Sequence, residues 1–281
     1  MSRTTLNIES TILKEIKLLQ KKEGGSIGGI VSRLLARALA RKSWRGEWIA
    51  FSGVTDCYQP LEASYGLTRA CLEVCLEHGN RVGVITKSAL IRRDVELLAR
   101  LHEKAGVQVH LSIPFADEGQ CRALEPFAPA PRTRFETVRA LAEAGIPVGV
   151  AVAPVIPGLN DPQIPEILEA AREAGATSAF LILLRLAGEV RPVFEERLAT
   201  AFPDRVGKVL HALEDSRAGI RPQHRGDFGA RMTGSGPRWS AIEDLFHLHC
   251  RRLGLGTTGE AMLEVLAPEH GPQWRQGQLF G

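Results

Sequence analysis

Phe51-Ser-Gly-Val-Thr-Asp-Cys-Tyr-Gln-Pro-Leu-Glu62 is the stretch that decides the fold. An apolar run ends at Phe51, a polar and turn-rich tip follows, and the chain enters a helix near Pro60. A strand that ends in polar residues and hands over to a helix is how parallel α/β proteins build sites. The same unit recurs downstream. Strands are predicted over 48–54, 81–86, 107–113, 147–153 and 178–184, with helices over 62–77, 91–104, 132–144, 162–174, 193–213 and 239–253. Near-continuous apolar strands alternating with helices predict an all-parallel sheet covered by helices. The fold class is therefore α/β, and five strands are too few to close an eight-stranded barrel, so an open or partial (β/α) barrel is expected. The tail after Gly254 is polar and Gly-rich, with little periodicity.

With 281 residues the chain has room for one barrel-sized domain and a small appendage. Its 44% hydrophobic and 24% charged residues exclude a disordered chain. It contains no apolar run long enough for a membrane span and no secretory pattern, and its five cysteines have no framework spacing. A cytoplasmic protein is expected. The net charge of +3 is unevenly placed. Residues 1–45 carry ten Lys and Arg against three acids, a balance of +7, whereas the remainder carries 25 against 29. A polyanionic partner is therefore sought at the N-terminus.

There, residues 3–9 alternate, with Thr4, Leu6 and Ile8 on one face and Arg3, Thr5 and Asn7 on the other, which predicts a short strand. Ser10 and Ser26 can each cap a helix with an apolar stripe, and Gly24-Gly25 separates the two. Such a small unit cannot bury a core alone, so a homodimer is expected. Residues 2–42 resemble the ribbon-helix-helix family of DNA-binding proteins, particularly the antitoxin type. The resemblance implies a strand pair in the DNA major groove, with Arg3, Thr5 and Asn7 reading base edges. On this reading residues 1–44 form a DNA-binding and dimerisation module, and 45–281 the barrel.

In such a barrel the carboxyl ends of the strands face the ligand. Those ends read Thr55-Asp56, Thr86-Lys87-Ser88, Ser112, residues 154–161, and Arg185. A hydroxyl, a carboxylate, an ammonium and a guanidinium at one mouth describe a small zwitterionic or anionic ligand. Residues 45–281 resemble the radical S-adenosylmethionine proteins, in particular the bacterial group related to spore photoproduct lyase. The resemblance rests on Ser52-Gly-Val-Thr-Asp-Cys-Tyr-Gln-Pro60, Ile85-Thr-Lys-Ser88, Leu124-Glu-Pro126, Ala144-Gly-Ile-Pro-Val-Gly149, and Val152-Ala-Pro-Val-Ile-Pro-Gly-Leu-Asn160. It implies a partial six-stranded barrel that binds S-adenosylmethionine at the strand tips, of which this chain retains about five strands. Thr55 and Asp56 would hold the methionine amino group. Lys87 and Ser112 would contact the methionine moiety or ribose. Ile156 and Gly158 match the motif that packs the adenine, although Pro154 and Asp161 replace the usual Gly and Glu.

The family's [4Fe–4S] cluster is held by Cys-x3-Cys-x2-Cys, and that triplet does not occur in this sequence. Cys71-x3-Cys75-x2-His78 has the spacing with His in third place, but both cysteines fall on the apolar face of a predicted helix. Two functions are therefore expected to compete. One is a radical-enzyme relative that keeps the cofactor pocket without its cluster ligands. The other is a DNA-binding regulator that carries a vestigial or ligand-sensing barrel. In either case strand 48–54 becomes a sheet edge.

Overall fold

The computed structural model describes residues 18, 20–22, 24, 26–51, 55–186, 188, 190–217 and 234–257. Arg3, Thr5 and Asn7, and the strand expected around them, lie outside these residues. The elements in chain order are α1 (Ile27–Leu39), β1 (Ile49–Phe51), α2 (Glu62–Tyr65), α3 (Leu67–His78), β2 (Val82–Thr86), α4 (Val95–Lys104) and β3 (Val107–Ser112). They continue with α5 (Glu118–Leu124), α6 (Pro131–Glu143), β4 (Val148–Val155), α7 (Ile164–Glu173), β5 (Ser178–Leu183), α8 (Val190–Ala201), α9 (Val206–Asp215), α10 (Gly236–Leu253) and β6 (Gly256–Thr257).

The sheet has six strands, one more than the five expected, in the order β1-β2-β3-β4-β5-β6, and every pairing is parallel. The additional strand is only two residues long, too short to carry an apolar pattern, and Gly256 N donates to Thr177 O at 2.9 Å to seat it. Among the described residues β1 pairs only with β2, so it is the edge of the sheet. No described helix is long and apolar enough to cross a membrane.

Alternation along the strands divides two environments. Val82, Val84, Val107, Val109, Leu111, Val148, Val150 and Val152 face the helices and are essentially inaccessible. The helices answer with stripes at i, i+3, i+4 and i+7, such as Ile164, Ile167, Leu168 and Ala171 on α7. Each such aliphatic side chain contributes about 1.5–3 kcal/mol on burial. On the opposite face Ile85, His110, Gly149 and Ser178 share one register row across β2 to β5. Gly149 is required there. A Cβ at that position would lie 2.7 Å from His110 Nε2 and closer still to Ser178 Oγ. Phe180, in the next row, meets the His110 ring edge-on at 4.8 Å between centroids.

Helix α1, expected to belong to a separate N-terminal module, packs on α3 and sends Leu39 into the barrel core. Ser26 caps it as predicted, with its hydroxyl accepting from Gly29 N at 3.1 Å. Within the chain this helix lies on α3 with Ile30 and Leu39 buried, while Ile27, Val31 and Leu34 stay partly accessible. Trp44 Nε1 then donates to Asn80 Oδ1 at 2.7 Å, and Asn80 Nδ2 donates to Glu47 O at 3.0 Å. These bonds fasten the approach to β1 onto the start of β2.

Candidate functional site at the carboxyl ends of the strands

Parallel strands place residues 55–58, 86–88, 113–116, 154–161 and 184–186 at one end of the sheet. Asp56 organises the first two groups. Its Oδ1 accepts from Thr86 Oγ1 at 2.6 Å and from Tyr58 N at 2.9 Å, and its Oδ2 accepts from Lys87 N at 2.7 Å. The carboxylate is thus a fastener between the β1 tip and the end of β2, while Thr55 beside it is exposed. Behind this tip the Tyr58 hydroxyl donates to the fully buried Asp94 at 3.1 Å. Asp94 also accepts from Arg93 Nε at 3.0 Å and from Arg69 Nη1 at 2.6 Å. Burial works to raise the Asp94 pKa, but the arginine hydrogen bonds outweigh it and hold the carboxyl below its ordinary range. Glu62 completes the cluster, accepting from Arg93 Nη2 at 2.9 Å and from Thr68 N at the start of α3, also at 2.9 Å.

A second ionic chain runs from the mouth into the interior. Lys87 Nζ pairs with Glu125 Oε1, and Glu125 Oε2 pairs with Arg134 Nη2 at 2.7 Å. Arg134 also donates to Ser112 O and to Pro129 O, each at 2.8 Å. Side-chain exposure falls from 32% at Lys87 to 13% at Glu125 and 1% at Arg134, so the chain has one solvent-facing end. Two cations flank one carboxylate, which leaves a net positive charge presented through Lys87. The Ser112 hydroxyl is directed into the sheet, where it donates to Ala153 O at 2.6 Å.

The loop after β4 is held from within by Asn160, which is wholly buried. Its Oδ1 accepts from Ile156 N at 2.6 Å, and its Nδ2 donates to Pro114 O at 2.7 Å and to Pro154 O at 2.9 Å. Asp161, standing where the resemblance calls for Glu, accepts from Gly158 N at 2.6 Å. Gly158 has a left-handed φ of +84°, which lets the chain turn back toward Asn160. Ile156 lies under this loop at 2% exposure. After β5, Arg185 is exposed, and Arg217 reaches the same strand end, with Nη2 donating to Leu184 O at 2.7 Å.

The strand ends read from the sequence do lie together at one end of the sheet. Thr55, Lys87 and Arg185 present polar groups there, whereas Asp56 and Ser112 engage other parts of the chain and Ile156 is covered. The sequence reading missed Glu125, Arg134, Asn160 and Arg217. One signal was available: Arg134 sits at an apolar-stripe position of α6, with Thr137, Val138 and Leu141 following it into the interior.

All five cysteines fall within the described residues, and their surroundings do not suit an iron–sulfur cluster. Cys71 and Cys75 are buried on α3, where burial pushes their thiols up to about 11 and about 12. Cys250 is buried in α10 and is pushed up to about 12 for the same reason. Cys121 is enclosed in α5 beside Arg134. Cys57 donates to Phe51 O at 3.4 Å, and its thiol is raised by burial and by the Asp56 charge. Cluster ligation requires thiolates. No three His, Cys, Asp or Glu residues among those described are grouped to hold a metal.

Comparison with known proteins agrees with this geometry. Residues 29–171 match the Radical SAM superfamily. An uncharacterized protein of Mycobacterium tuberculosis is 33% identical over 168 residues, which cover 59% of this chain and 49% of that protein. An uncharacterized protein of Acidianus two-tailed virus is 35% identical over 116 residues, covering 41% of this chain and 37% of the viral protein. One from Methanocaldococcus jannaschii is 31% identical over 113 residues, covering 40% and 42%. The chain spans about half the length of the curated relatives it matches first. The superfamily match begins inside α1, the helix that packs on the barrel, and runs through α7. With its sequential parallel sheet and its polar strand ends, the chain belongs to the Radical SAM superfamily.

Proposed function

We propose that this chain is the S-adenosylmethionine-binding portion of a radical SAM protein of the spore photoproduct lyase-like group, and that its own cysteines do not assemble the [4Fe–4S] cluster. The observation that carries this reading is the ionic chain Lys87–Glu125–Arg134, which ends at the mouth in a partly exposed ammonium and is positive overall. A net positive group anchored on an inaccessible guanidinium suits the carboxylate of the cofactor's methionine moiety. Thr55 and the backbone around it, fixed by Asp56, suit the amino group. Asn160 holds the turn at 156–158, whose backbone, and not the covered Ile156 side chain, would flank the adenine. When bound, the cofactor would supply the family's radical chemistry only with a cluster whose ligands come from outside these five cysteines.

The test pairs two measurements on the full chain. Titration calorimetry is expected to show S-adenosylmethionine binding that weakens about tenfold in Lys87→Gln, the loss of one charge-assisted contact. Anaerobic reconstitution with iron and sulfide is expected to leave the protein without the visible absorbance of a cluster. A stoichiometric cluster would overturn the second half of the proposal, and unaltered affinity in Lys87→Gln the first.

A second reading, a DNA-binding regulator of the ribbon-helix-helix kind acting as a homodimer, is favoured by the +7 balance of residues 1–45. A gel shift with the gene's own upstream DNA tests it. Complexes that do not weaken with salt would count against phosphate contacts.

A further inference from the structure

The rim at β5 carries two guanidinium groups that meet no carboxylate among the described residues. Arg217 Nη2 donates to Leu184 O at 2.7 Å and reaches Leu183 O at 3.5 Å, so one edge of its fork is anchored on the last carbonyls of the strand. Arg185 follows Leu184 directly, and both cations therefore stand on the same short piece of backbone. Arg217 is half-buried, and its affinity for its proton is reduced by that burial and then by the charge of Arg185. A third positive feature meets them. Ser235 N donates to Ser216 O at 2.7 Å, which seats the start of the 18-residue α10 one residue from Arg217. The first turn of α10 contains no acid and includes Arg238. The dipole of this helix adds partial positive charge at its start. Asp215, two residues before Arg217, pairs with His211 at 3.4 Å.

Like charges held together in a partly desolvated place are unfavourable unless an anion joins them. We propose that Arg185 and Arg217, with the start of α10, bind a phosphate group of the substrate. Two planar forks beside a helix start match a phosphate that carries up to about two negative charges at neutral pH. The cofactor's carboxylate does not account for this post. Lys87 follows β2 and Arg185 follows β5, three strand spacings or about 14 Å apart along the sheet. A carboxylate held at Lys87 leaves the post after β5 open to another anion. On this proposal Arg185, expected from the sequence to contact the cofactor, meets the substrate instead.

The inference rests on the proposed cofactor pocket only for the identity of the bound molecule as substrate, so the experiment measures phosphate binding without cofactor. Titration calorimetry on the full chain compares a nucleoside 5′-monophosphate with the same nucleoside lacking phosphate. The monophosphate is expected to bind at least about tenfold tighter, and Arg185→Gln, at an exposed position that folding tolerates, is expected to remove most of that difference. Arg217→Lys, which keeps the charge and loses the fork, is expected to weaken binding as well. A short oligonucleotide without terminal phosphate tells a diester source from a monoester, and competition by either supports the site. Equal affinity for nucleoside and monophosphate, or unaltered monophosphate binding in both arginine variants, overturns the proposal. Failure of S-adenosylmethionine to bind the wild-type chain, measured separately, would instead refute the cofactor reading and leave the phosphate result standing.

Discussion

Replacing Arg134 by Met probes the network that supports the mouth. The guanidinium is 1% exposed and makes one ionic bond, to Glu125 at 2.7 Å, and two bonds to carbonyl oxygens, of Ser112 and Pro129, at 2.8 Å each. Met retains much of the stem's packing and removes all three donors. Glu125, itself 13% exposed, keeps only Lys87 as a cation, and two carbonyls lose a partner. Removing one member of a buried ion pair costs about 3–5 kcal/mol, against a total stability of about 5–15 kcal/mol for a domain. Urea unfolding followed by circular dichroism at pH 7 should show that loss with an unchanged slope. Glu125→Gln should also destabilise, because it leaves Arg134 charged and enclosed. The double variant should be more stable than the sum of the two losses implies, by about 1–3 kcal/mol. A cost below about 1 kcal/mol for Arg134→Met, or strict additivity in the cycle, would refute the idea that the chain of charges is held from its buried end.

Two further expectations come from the inner row of the sheet. Gly149→Ala places a methyl group against His110 and Ser178, and should cost about 1–3 kcal/mol by overpacking; thermal unfolding should show that Ser178→Gly in the same chain recovers part of it. His110 is neutral at pH 7, since burial lowers its pKa to about 3 from an ordinary value near 6.5. Between those two values the unfolded chain takes up a proton that the folded one refuses, so stability falls as pH drops, at up to about 1.4 kcal/mol per pH unit. His110→Gln should lack that component, and parallel stability profiles for the two proteins between pH 7 and 5 would contradict it.

The strands were legible because 82–86, 107–112, 148–155 and 178–183 are apolar runs that end in polar residues, a pattern fixed locally by burial on both sheet faces. β6 was not, because two residues carry no period and only the neighbouring strand makes them one. The stripe on α1 was legible, but its packing on α3 was not, because an amphipathic pattern does not name the surface it meets. Asp56 was visible as a polar tip residue. Its role as a fastener depends on Thr86 and Lys87, some 30 residues further along, and no local pattern encodes that separation. Arg134 had a readable signal, a charge inside an apolar stripe, whereas its partners Ser112 and Glu125 come from other elements.

The strictly sequential order of the strands has a mechanical consequence. Among the described residues each strand pairs only with the strands before and after it, so the sheet behaves as a one-dimensional array in which strain passes between neighbouring strands. Thermal opening at one end then need not propagate. β1, three residues long and bonded among the described residues to β2 alone, is where opening is expected to start, and the clasp of Trp44 and Asn80 opposes it. β3 and β4, flanked on both sides, form the part that holds its shape while the margin breathes. The stiff interior of the array thus carries Lys87 and Arg185, whereas Thr55 and Asp56 ride on the marginal strand and are tied to that interior by the Asp56 bonds to Thr86 and Lys87.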